Sequence, residues 1–298
     1  MSSVNNILVT GGDGFIGKHL VKKLQDSGYT VFNLDIRSGH DLTKYETFET
    51  ISTPIDVIYH LAAQPYGRGS EDDPYLDLEL NTKISLNVNL FAARNNVKKV
   101  IYTSTMAVYG NNTYCKEEDS PKPLSNYGVS KLFGEYSLKK FHYNTNIDYT
   151  IYRVWNTYGP GQDLTNGSKG LVQAMCNQAC NTTNIKVTGS LDRYRDLIYI
   201  DDVIDALLLG LNNITNNNTF NISTGIKLTI QQLIDSIIKI LNTDKNYTIT
   251  NTGSHDGDQH GCVGSSLKLQ NLGWTPKISL DTGLKKFIEY INEETIDE

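Results

Sequence analysis

Cysteine is scarce in this sequence, and the few cysteines form no recognisable framework. The 298 residues include Cys115, Cys176, Cys180 and Cys262, with no CxxC pair and no nearby His and Cys cluster. Disulfide-built secreted domains carry a denser set, and zinc sites need clustered ligands. We therefore expect reduced thiols in a cytoplasmic protein and no bound metal.

An excess of positive charge is also missing. The chain has 27 Lys and Arg residues against 33 Asp and Glu residues, a formal net charge of -6. A nucleic-acid-binding protein needs a basic face, so this balance argues against a nucleic-acid partner. Phosphate ligands are still allowed, because helix N-termini and one or two arginines suffice to bind them.

Long apolar runs are absent as well. No apolar segment reaches the roughly 20 residues that cross a bilayer, which argues against a membrane partner. The N-terminus has neither the basic flank nor the apolar stretch of a signal peptide. With 39% hydrophobic residues, the chain can still bury a substantial core. Its length predicts one large domain or two closely joined ones.

The first half alternates short apolar runs with amphipathic stretches. Strands are predicted at 6–10, 30–35, 57–61, 99–103 and 149–153. Helices are predicted at 15–27, 43–51, 73–96 and 126–144. This alternation predicts an α/β fold, a Rossmann-type doubly wound parallel sheet with ligands at the carboxyl ends of its strands.

The alternation breaks after Gly159-Pro160-Gly161. The later pattern predicts elements at 169–180, 196–212, 218–222, 229–241 and 280–292. We expect a Rossmann domain over 1–165 that also takes back about 193–222. A smaller C-terminal α/β substrate domain would comprise 166–192 and 223–298.

The turn from Val9 to Gly17 is the strongest single motif. Glycines 11, 14 and 17 follow the first strand and open the first helix, in GxxGxxG spacing. Such glycines permit a tight turn, a close approach of the backbone to a pyrophosphate, and close helix packing. The second strand ends at Asp35, whose carboxylate would accept hydrogen bonds from ribose hydroxyls and repel a 2′-phosphate. This predicts NAD over NADP, with Arg37 weakening the preference.

Hydroxyl groups at the end of the fourth strand, Thr103-Ser104-Thr105, lie where a substrate should bind. Tyr127 and Lys131 follow on a predicted helix and share one face. An ammonium group beside the phenol is expected to lower the tyrosine pKa, so that Tyr127 can take a proton from a substrate hydroxyl. A second pair with the same spacing, Tyr136 and Lys140, is rotated by about 180° and should face away.

Several further motifs lie in a characteristic order along nearly the whole chain. They are Asp41-Leu42, His60-Leu61-Ala62-Ala63-Gln64, Asn81, Val108-Tyr109-Gly110, Arg153-Val154-Trp155-Asn156-Thr157-Tyr158-Gly159-Pro160, Arg195-Asp196, Asp201-Asp202-Val203 and Leu272-Gly273-Trp274. With the glycine turn and the Tyr/Lys pair, they resemble the extended short-chain dehydrogenase/reductase family. The resemblance is to its NAD-dependent nucleotide-sugar epimerases and dehydratases, above all the UDP-sugar 4-epimerases.

The resemblance implies roles for individual residues. Those implied in binding NAD are Gly11, Gly14, Phe15, Ile16, Gly17, Asp35, Arg37, Asp41, Leu42, Leu61, Ala62, Ala63, Asn81, Thr103, Tyr127, Lys131 and Trp155. Those implied in binding a nucleotide-diphosphate sugar are Gln64, Arg68, Ser104, Thr105, Asn156, Arg195 and Asp258. The implied catalytic set is Thr105, Tyr127 and Lys131. Asn81 could alternatively cap backbone groups, Trp155 could only pack, and His60 suggests a structural role at a strand end.

Two departures from the family narrow the chemistry. Dehydratases of the family carry an acidic pair after the catalytic Thr, and decarboxylases a Glu, whereas this chain has Met106 and Ala107. This argues against dehydration and decarboxylation. Many relatives carry Arg-Pro-Gly-Asp near the C-terminus, where this chain has His255-Asp256-Gly257-Asp258. Phosphate binding would then depend on Arg195, with help from Arg68.

The expected function is an NAD-dependent nucleotide-sugar 4-epimerase of the EC 5.1.3 type, with a UDP-sugar as substrate and a transient 4-keto intermediate. We expect a homodimer. The main alternative is a nucleotide 4-keto-sugar reductase or dehydrogenase with the same residues. A non-catalytic NAD-binding sensor is a third hypothesis, although such proteins usually lose the Tyr or the Lys.

Overall fold

A six-stranded parallel sheet forms the centre of the protein. The computed structural model describes residues 4–64, 73–164, 170–253 and 260–296. The strands of the sheet are β1 Asn6–Thr10, β2 Thr30–Leu34, β3 Val57–His60, β4 Lys99–Thr105, β6 Asp148–Val154 and β11 Asn218–Ile222. Their order is β11-β6-β4-β3-β1-β2, and every neighbouring pair is parallel. The predicted Rossmann-type sheet is confirmed.

Helices cover both faces of this sheet, because the buried strands carry apolar side chains on both sides. Their bounds are α1 Phe15–Asp26, α2 Pro74–Arg94, α3 Asn126–Thr145 and α5 Ile200–Leu209. On β1, Ile7 and Val9 pack with α1 and α5, whereas Leu8 packs on the opposite side with α2 and α3. The alternation places the carboxyl ends of the strands between the two helical layers.

The segment predicted as a helix over 43–51 is a short 3-10 helix at Tyr45–Thr50. Tyr45 and Phe48 of this helix, and Ile51 directly after it, are spaced by three and contribute to one core. Side chains at that spacing line up in a 3-10 helix, so this winding buries the apolar row. Phe48 stacks on Phe91 with ring centroids 5.2 Å apart.

The second half of the chain builds helices and short strand pairs beside the sheet. The helices are α4 Leu171–Asn181, α6 Ile230–Leu241, α7 Leu267–Gln270 and α8 Leu280–Ile296. The strand pairs are β7 Asn156–Tyr158 with β10 Leu197–Tyr199, β8 Asn184–Val187 with β13 Thr248–Asn251, β9 Tyr194–Arg195 with β12 Leu228–Thr229, and β5 Tyr114–Cys115 with β14 Val263–Gly264. The division into two domains at residue 165 stays a prediction.

None of the described helices is both long and apolar enough to cross a membrane.

Candidate active site

A cavity of about 1580 Å³ lies at the carboxyl ends of β1 to β4. The glycine turn, the ends of β2 and β3, the end of β4 and the first turns of α3 form its walls. Its volume exceeds that of a site for one small molecule, which leaves space for a dinucleotide and a second ligand.

The glycine turn has the geometry of a pyrophosphate cradle. Gly11 has a φ of 77°, and a Cβ there would lie 2.6 Å from the backbone nitrogen of Ala62. A Cβ on Gly17 would overlap the carbonyl oxygen of Gly11, so only glycine lets α1 come this close to the turn. Helix α1 begins after Gly14 without a side-chain cap. Its first N–H groups therefore remain available to an anion in the cavity.

Asp35 is fixed in the cavity wall at the end of β2. Its side chain is buried, and its carboxylate accepts hydrogen bonds from the backbone nitrogens of Asp13 at 3.0 Å and Arg37 at 2.9 Å. The Arg37 guanidinium donates to the carbonyl oxygen of Asp13 at 2.6 Å. The acid is therefore held in place, as the predicted ribose contact requires.

Most of the other predicted cofactor residues also line this cavity. They are Phe15, Ile16, Asp41, Leu42, Leu61, Ala62, Ala63, Thr103, Tyr127, Lys131 and Trp155, in addition to the glycines and to Asp35 and Arg37. Asn81 is not part of the wall. Its side chain accepts from the backbone nitrogen of Gln64 at 2.6 Å and donates to Ser130 Oγ at 2.9 Å. Asn81 thus holds the segment that follows β3 against α3.

Thr105 and Tyr127 meet in the cavity wall. Thr105 lies close enough to Tyr127 to favour its ionised form, and Thr105 Oγ1 accepts from the backbone nitrogen of Ala107 at 3.2 Å. Tyr127 lies in the first turn of α3, which Ser125 caps by accepting from the nitrogen of Gly128 at 3.1 Å. A Cβ on Gly128 would lie 2.8 Å from the Ala107 oxygen, so this glycine lets α3 approach the residues after β4.

The second tyrosine with the same lysine spacing lies outside the site. Tyr136 is 58% exposed, and Lys139 lies over its ring. Tyr127 and Lys131 line the cavity from the same helix. The predicted rotation between the two tyrosines is confirmed.

The expected low pKa of Tyr127 is not found for the protein alone. Burial, followed by the negative charge of Asp77, raises the pKa of Tyr127 to about 12, although Thr105 opposes this. Burial also lowers the pKa of Lys131 to about 7, against the opposing charge of Glu135. The sequence identified the lysine but not the desolvation that both groups share.

His60 has the structural role that its position suggests. Both ring nitrogens are engaged, Nδ1 with Thr10 Oγ1 at 2.9 Å and Nε2 with Ser85 Oγ at 3.2 Å. Burial, together with the charge of Lys131, holds the pKa of His60 well below its usual value. A neutral imidazole with one donor and one acceptor suits these two hydroxyls.

The predicted substrate residues are distributed unevenly. Gln64, Ser104, Thr105 and Asn156 line the cavity. The Asn156 amide donates to the Asp196 carbonyl at 3.1 Å and to Met106 Sδ at 3.4 Å. Arg195 lies on β9 outside the described cavity wall, where its guanidinium donates to the Tyr194 carbonyl at 2.8 Å. Arg68 and Asp258 lie outside the described residues.

Sequence reasoning missed a buried ion pair directly behind this wall. Glu135 on α3 accepts two hydrogen bonds from the Arg153 side chain on β6, at 2.9 Å and 2.8 Å. Ser104 Oγ donates to the same carboxylate at 2.5 Å. The spacing of Glu135 one helical turn after Lys131 was the available signal.

Asp196 belongs to one of the sequence motifs, but the motif did not indicate its role. Its buried carboxylate accepts from the nitrogen and hydroxyl of Thr224 at 2.9 Å and 2.6 Å, from Gly225 at 3.0 Å and from Gly264 at 3.1 Å. Burial raises the pKa of Asp196, and the hydrogen bonds oppose that effect. The Asp196 carboxylate therefore links two segments beside Trp155, namely the turn that follows β11 and the strand β14.

Among the residues that the structure describes, no cluster of His, Cys, Asp and Glu could hold a metal ion.

The sequence profile of the NAD dependent epimerase/dehydratase family matches residues 7–223, and the chain belongs to this family. The structure is similar to a UDP-glucose 4-epimerase from Thermotoga maritima solved with UDP-glucose, with a TM-score of 0.91, 32% identity and coverage of 97% of this chain and 99% of the other. It is also similar to the UDP-glucose 4-epimerase of Thermus thermophilus in complex with NAD, with a TM-score of 0.88, 27% identity and coverage of 96% and 99%. A curated relative from Escherichia coli, dTDP-4-dehydro-6-deoxyglucose reductase, is 29% identical over 96% of this chain and 98% of its own.

NAD is the cofactor of this protein, as the family defines. The residues present fit it. The turn has no space for a Cβ at Gly11 or Gly17. The N-terminal residues of α1 line the cavity, and the buried carboxylate of Asp35 lies at the end of β2.

Proposed function

We propose that this protein is an NAD-dependent nucleotide-sugar 4-epimerase, an isomerase of the EC 5.1.3 type with a UDP-sugar as its substrate. The observation that carries this proposal is that Thr105, Tyr127 and Lys131 line one cavity together with the glycine turn. Thr105 is followed by Met106 and Ala107, so this segment brings no acid to that wall.

The chain's own residues would act on the C4 hydroxyl of the sugar. Tyr127 in its phenolate form takes the hydroxyl proton and later returns it, and Thr105 shares the hydrogen bond with the reacting oxygen. Lys131 as an ammonium stabilises the phenolate and binds the nicotinamide ribose. NAD supplies the hydride acceptor and donor, so the sugar passes through a 4-keto form. Asn156, which lines the cavity, would contact the diphosphate while the sugar turns over, whereas Arg195 would have to turn towards the cavity to reach it.

Dehydration and decarboxylation are disfavoured by the same wall. Expelling water from C5 and C6 requires an acid and a base near the sugar, and a thioether and a methyl group supply neither. We therefore expect no 4-keto-6-deoxy product from UDP-glucose or dTDP-glucose. Mass spectrometry would detect that product.

A nucleotide 4-keto-sugar reductase is the second candidate. The 29% identity to dTDP-4-dehydro-6-deoxyglucose reductase favours it, because a reductase can use the same Thr, Tyr and Lys. A non-catalytic sensor is less well supported, since Thr105, Tyr127 and Lys131 all line one cavity.

Product and cofactor stoichiometry separate the two enzymes. Purified protein with a catalytic amount of NAD should interconvert UDP-glucose and its C4 epimer, without net formation of NADH. In heavy water little deuterium should enter at C4, because the hydride returns from a closed site. Consumption of reduced cofactor in proportion to a reduced 4-keto sugar, with no interconversion of any 4-epimer pair, would establish the reductase instead.

We also propose that the protein is a homodimer, formed through α2 and α3. These adjacent helices leave large apolar side chains exposed, namely Leu86, Leu90, Val129, Phe133 and Tyr136. Their spacing of three or four residues along each helix is that of a helix packing face. A second copy would bury this face in a bundle of four helices.

A further inference from the structure

We propose that Glu135 and Arg153 are positioning residues that set the charge state of Lys131 and fix the end of β4. This inference rests on the proposed function, because it assigns these residues to the Thr105, Tyr127 and Lys131 site. Neither side chain lines the cavity, so both act through their neighbours.

The pair is fully engaged and almost completely buried. Arg153 Nε lies 2.9 Å from Glu135 Oε1, and Arg153 Nη2 lies 2.8 Å from Oε2. The two side chains are 4% and 1% exposed. The guanidinium also lies 4.7 Å from the centroid of the Tyr109 ring and donates to the Glu117 carbonyl at 3.4 Å. Two parallel hydrogen bonds of this kind fix both side chains in one orientation.

Glu135 connects the elements that carry the catalytic groups. It lies on α3, one turn after Lys131. It accepts from the Ser104 hydroxyl at 2.5 Å, and Ser104 directly precedes Thr105 on β4. Arg153 stands opposite Ser104 in the register of β4 and β6. One carboxylate thus holds the end of β4 at a fixed distance from the helix that bears Tyr127.

The same carboxylate acts electrostatically on Lys131. The groups facing this lysine are His60 from β3, Tyr102 from β4 with its ring centroid 4.4 Å from Nζ, and Tyr127 and Glu135 from α3. Farther out, Asp77 of α2 acts on Tyr127, and Arg153 of β6 is bound to Glu135. Burial lowers the pKa of Lys131 to about 7, and the negative charge of Glu135 opposes this effect.

The sign of the effect on activity follows from proton sharing. The reactive form carries a phenolate on Tyr127 and an ammonium on Lys131, whereas the order of their pKa values favours a phenol and a free amine. Any change that lowers the pKa of Lys131 reduces the reactive fraction and also moves the first macroscopic titration to lower pH. Any change that raises it does the opposite.

Removing one charge at a time gives opposite predictions. Glu135→Gln leaves Arg153 positive, so the titration of Lys131 should move down by about 0.5–1 pH unit, with a fall in kcat of up to about tenfold. Arg153→Met leaves Glu135 negative, so the titration should move up by a similar amount. The double variant Glu135→Gln/Arg153→Met removes both charges and should titrate close to wild type.

The readout is an NMR titration of protein labelled with carbon-13 at the lysine ε position, with the Lys131 signal assigned by its absence in Lys131→Met. It needs no substrate, so it remains decisive if the proposed function fails. The pH profile of kcat is recorded in parallel on the NAD-loaded protein. Asp26→Asn, which removes one charge from the exposed Lys22–Asp26 pair, is the control and should shift neither curve.

Shifts of opposite sign in the two single variants would establish the electrostatic role, because a merely structural defect moves both in the same way. Equal shifts, or none, in variants with native circular dichroism would overturn it. Breaking a buried pair is costly. If a single variant does not fold, Glu135→Asp replaces it, because the shorter side chain moves the negative charge away from Lys131. The pH midpoint of the Lys131 titration should then still fall. No shift of that midpoint would equally overturn the inference.

Discussion

Tyr127 is surrounded by groups that oppose its ionisation. Burial and the charge of Asp77 raise its pKa to about 12, and only Thr105 acts in the other direction. The phenol therefore stays protonated at neutral pH in the protein alone.

Removal of the Tyr127 hydroxyl should lower turnover by orders of magnitude without unfolding the protein. Tyr127→Phe is expected to lower kcat by about 10²–10⁴-fold, the usual size of general acid–base catalysis. Tyr136→Phe is the matched control, because its exposed hydroxyl lies outside the cavity. Steady-state kinetics of both variants checks this. Loss of turnover in Tyr136→Phe, with an active Tyr127→Phe, would contradict the assignment.

Lys131 should lower the free energy of unfolding at neutral pH. Its pKa is about 10.5 in an unfolded chain and about 7 in the fold, so the unfolded state binds more protons across that window. Stability therefore rises between about pH 7 and pH 10.5, and is lost as the pH falls through the same range. Lys131→Met should abolish activity, remove this slope and stabilise the protein at pH 7 by about 1–3 kcal/mol.

Urea unfolding at pH 7 and pH 9 measures this effect. Lys140→Met, which changes an exposed lysine of the same helix, should leave both values within about 0.5 kcal/mol of wild type. A Lys131→Met protein that is less stable than wild type at pH 7 would show that the lysine is well solvated or well paired.

At the scale of elements, the sequence predicted the central sheet closely and the rest unevenly. The runs at 57–61 and 149–153 became β3 and β6 within one residue at each end, because a strand buried on both faces is apolar throughout. Two-residue strands such as β9 and β14 leave no periodicity to detect. Whether 43–51 forms an α-helix or a 3-10 helix depended on the core against which Phe48 packs. The local sequence does not encode that packing.

The same limit applied to the site. The motif residues on the glycine turn and on α3 were placed correctly, because short spacings fix them on one turn or one helix. The Glu135–Arg153 pair depends on the register of β4 and β6 and on how α3 packs over them. Neither is visible in a single sequence.

The apolar face of α2 and α3 gives an element-scale prediction. Phe133→Glu places a charge in the proposed helix bundle and should convert a dimer into a monomer. Sedimentation velocity measures the change. Ile214→Glu, at a similarly exposed residue in the turn Asn213–Thr215, should leave the dimer intact. A wild-type protein that sediments as a monomer would contradict the homodimer.

At the scale of the whole molecule, one thiol pair links distant parts of the chain. Cys115 on β5 and Cys262 beside β14 are fully buried, with their sulfur atoms 3.0 Å apart. All four cysteines are free thiols in the structure. A disulfide needs about 2.05 Å, so a shift of only about 1 Å would allow one.

Mild peroxide treatment should therefore join Cys115 to Cys262, with release of two water molecules per peroxide consumed. The bond closes a long loop, so the melting temperature should rise by several degrees and return after reduction. Mass spectrometry of unreduced peptides identifies the link. Cys176→Ser should not prevent it, whereas Cys115→Ser should. Absence of the linked peptide in folded, oxidised protein would contradict the predicted proximity.

The edge position of β11 has a consequence for how the protein is made. Strand β6 ends at Val154, but its outer neighbour begins only at Asn218, after α4 and α5 and the short strands between them. While the ribosome translates that stretch, the nascent sheet has an open apolar edge, which can pair with other unfinished chains. The open edge of β6 is therefore covered only after residues 218–222 have been translated. A chain that ends before them should need a chaperone to avoid aggregation.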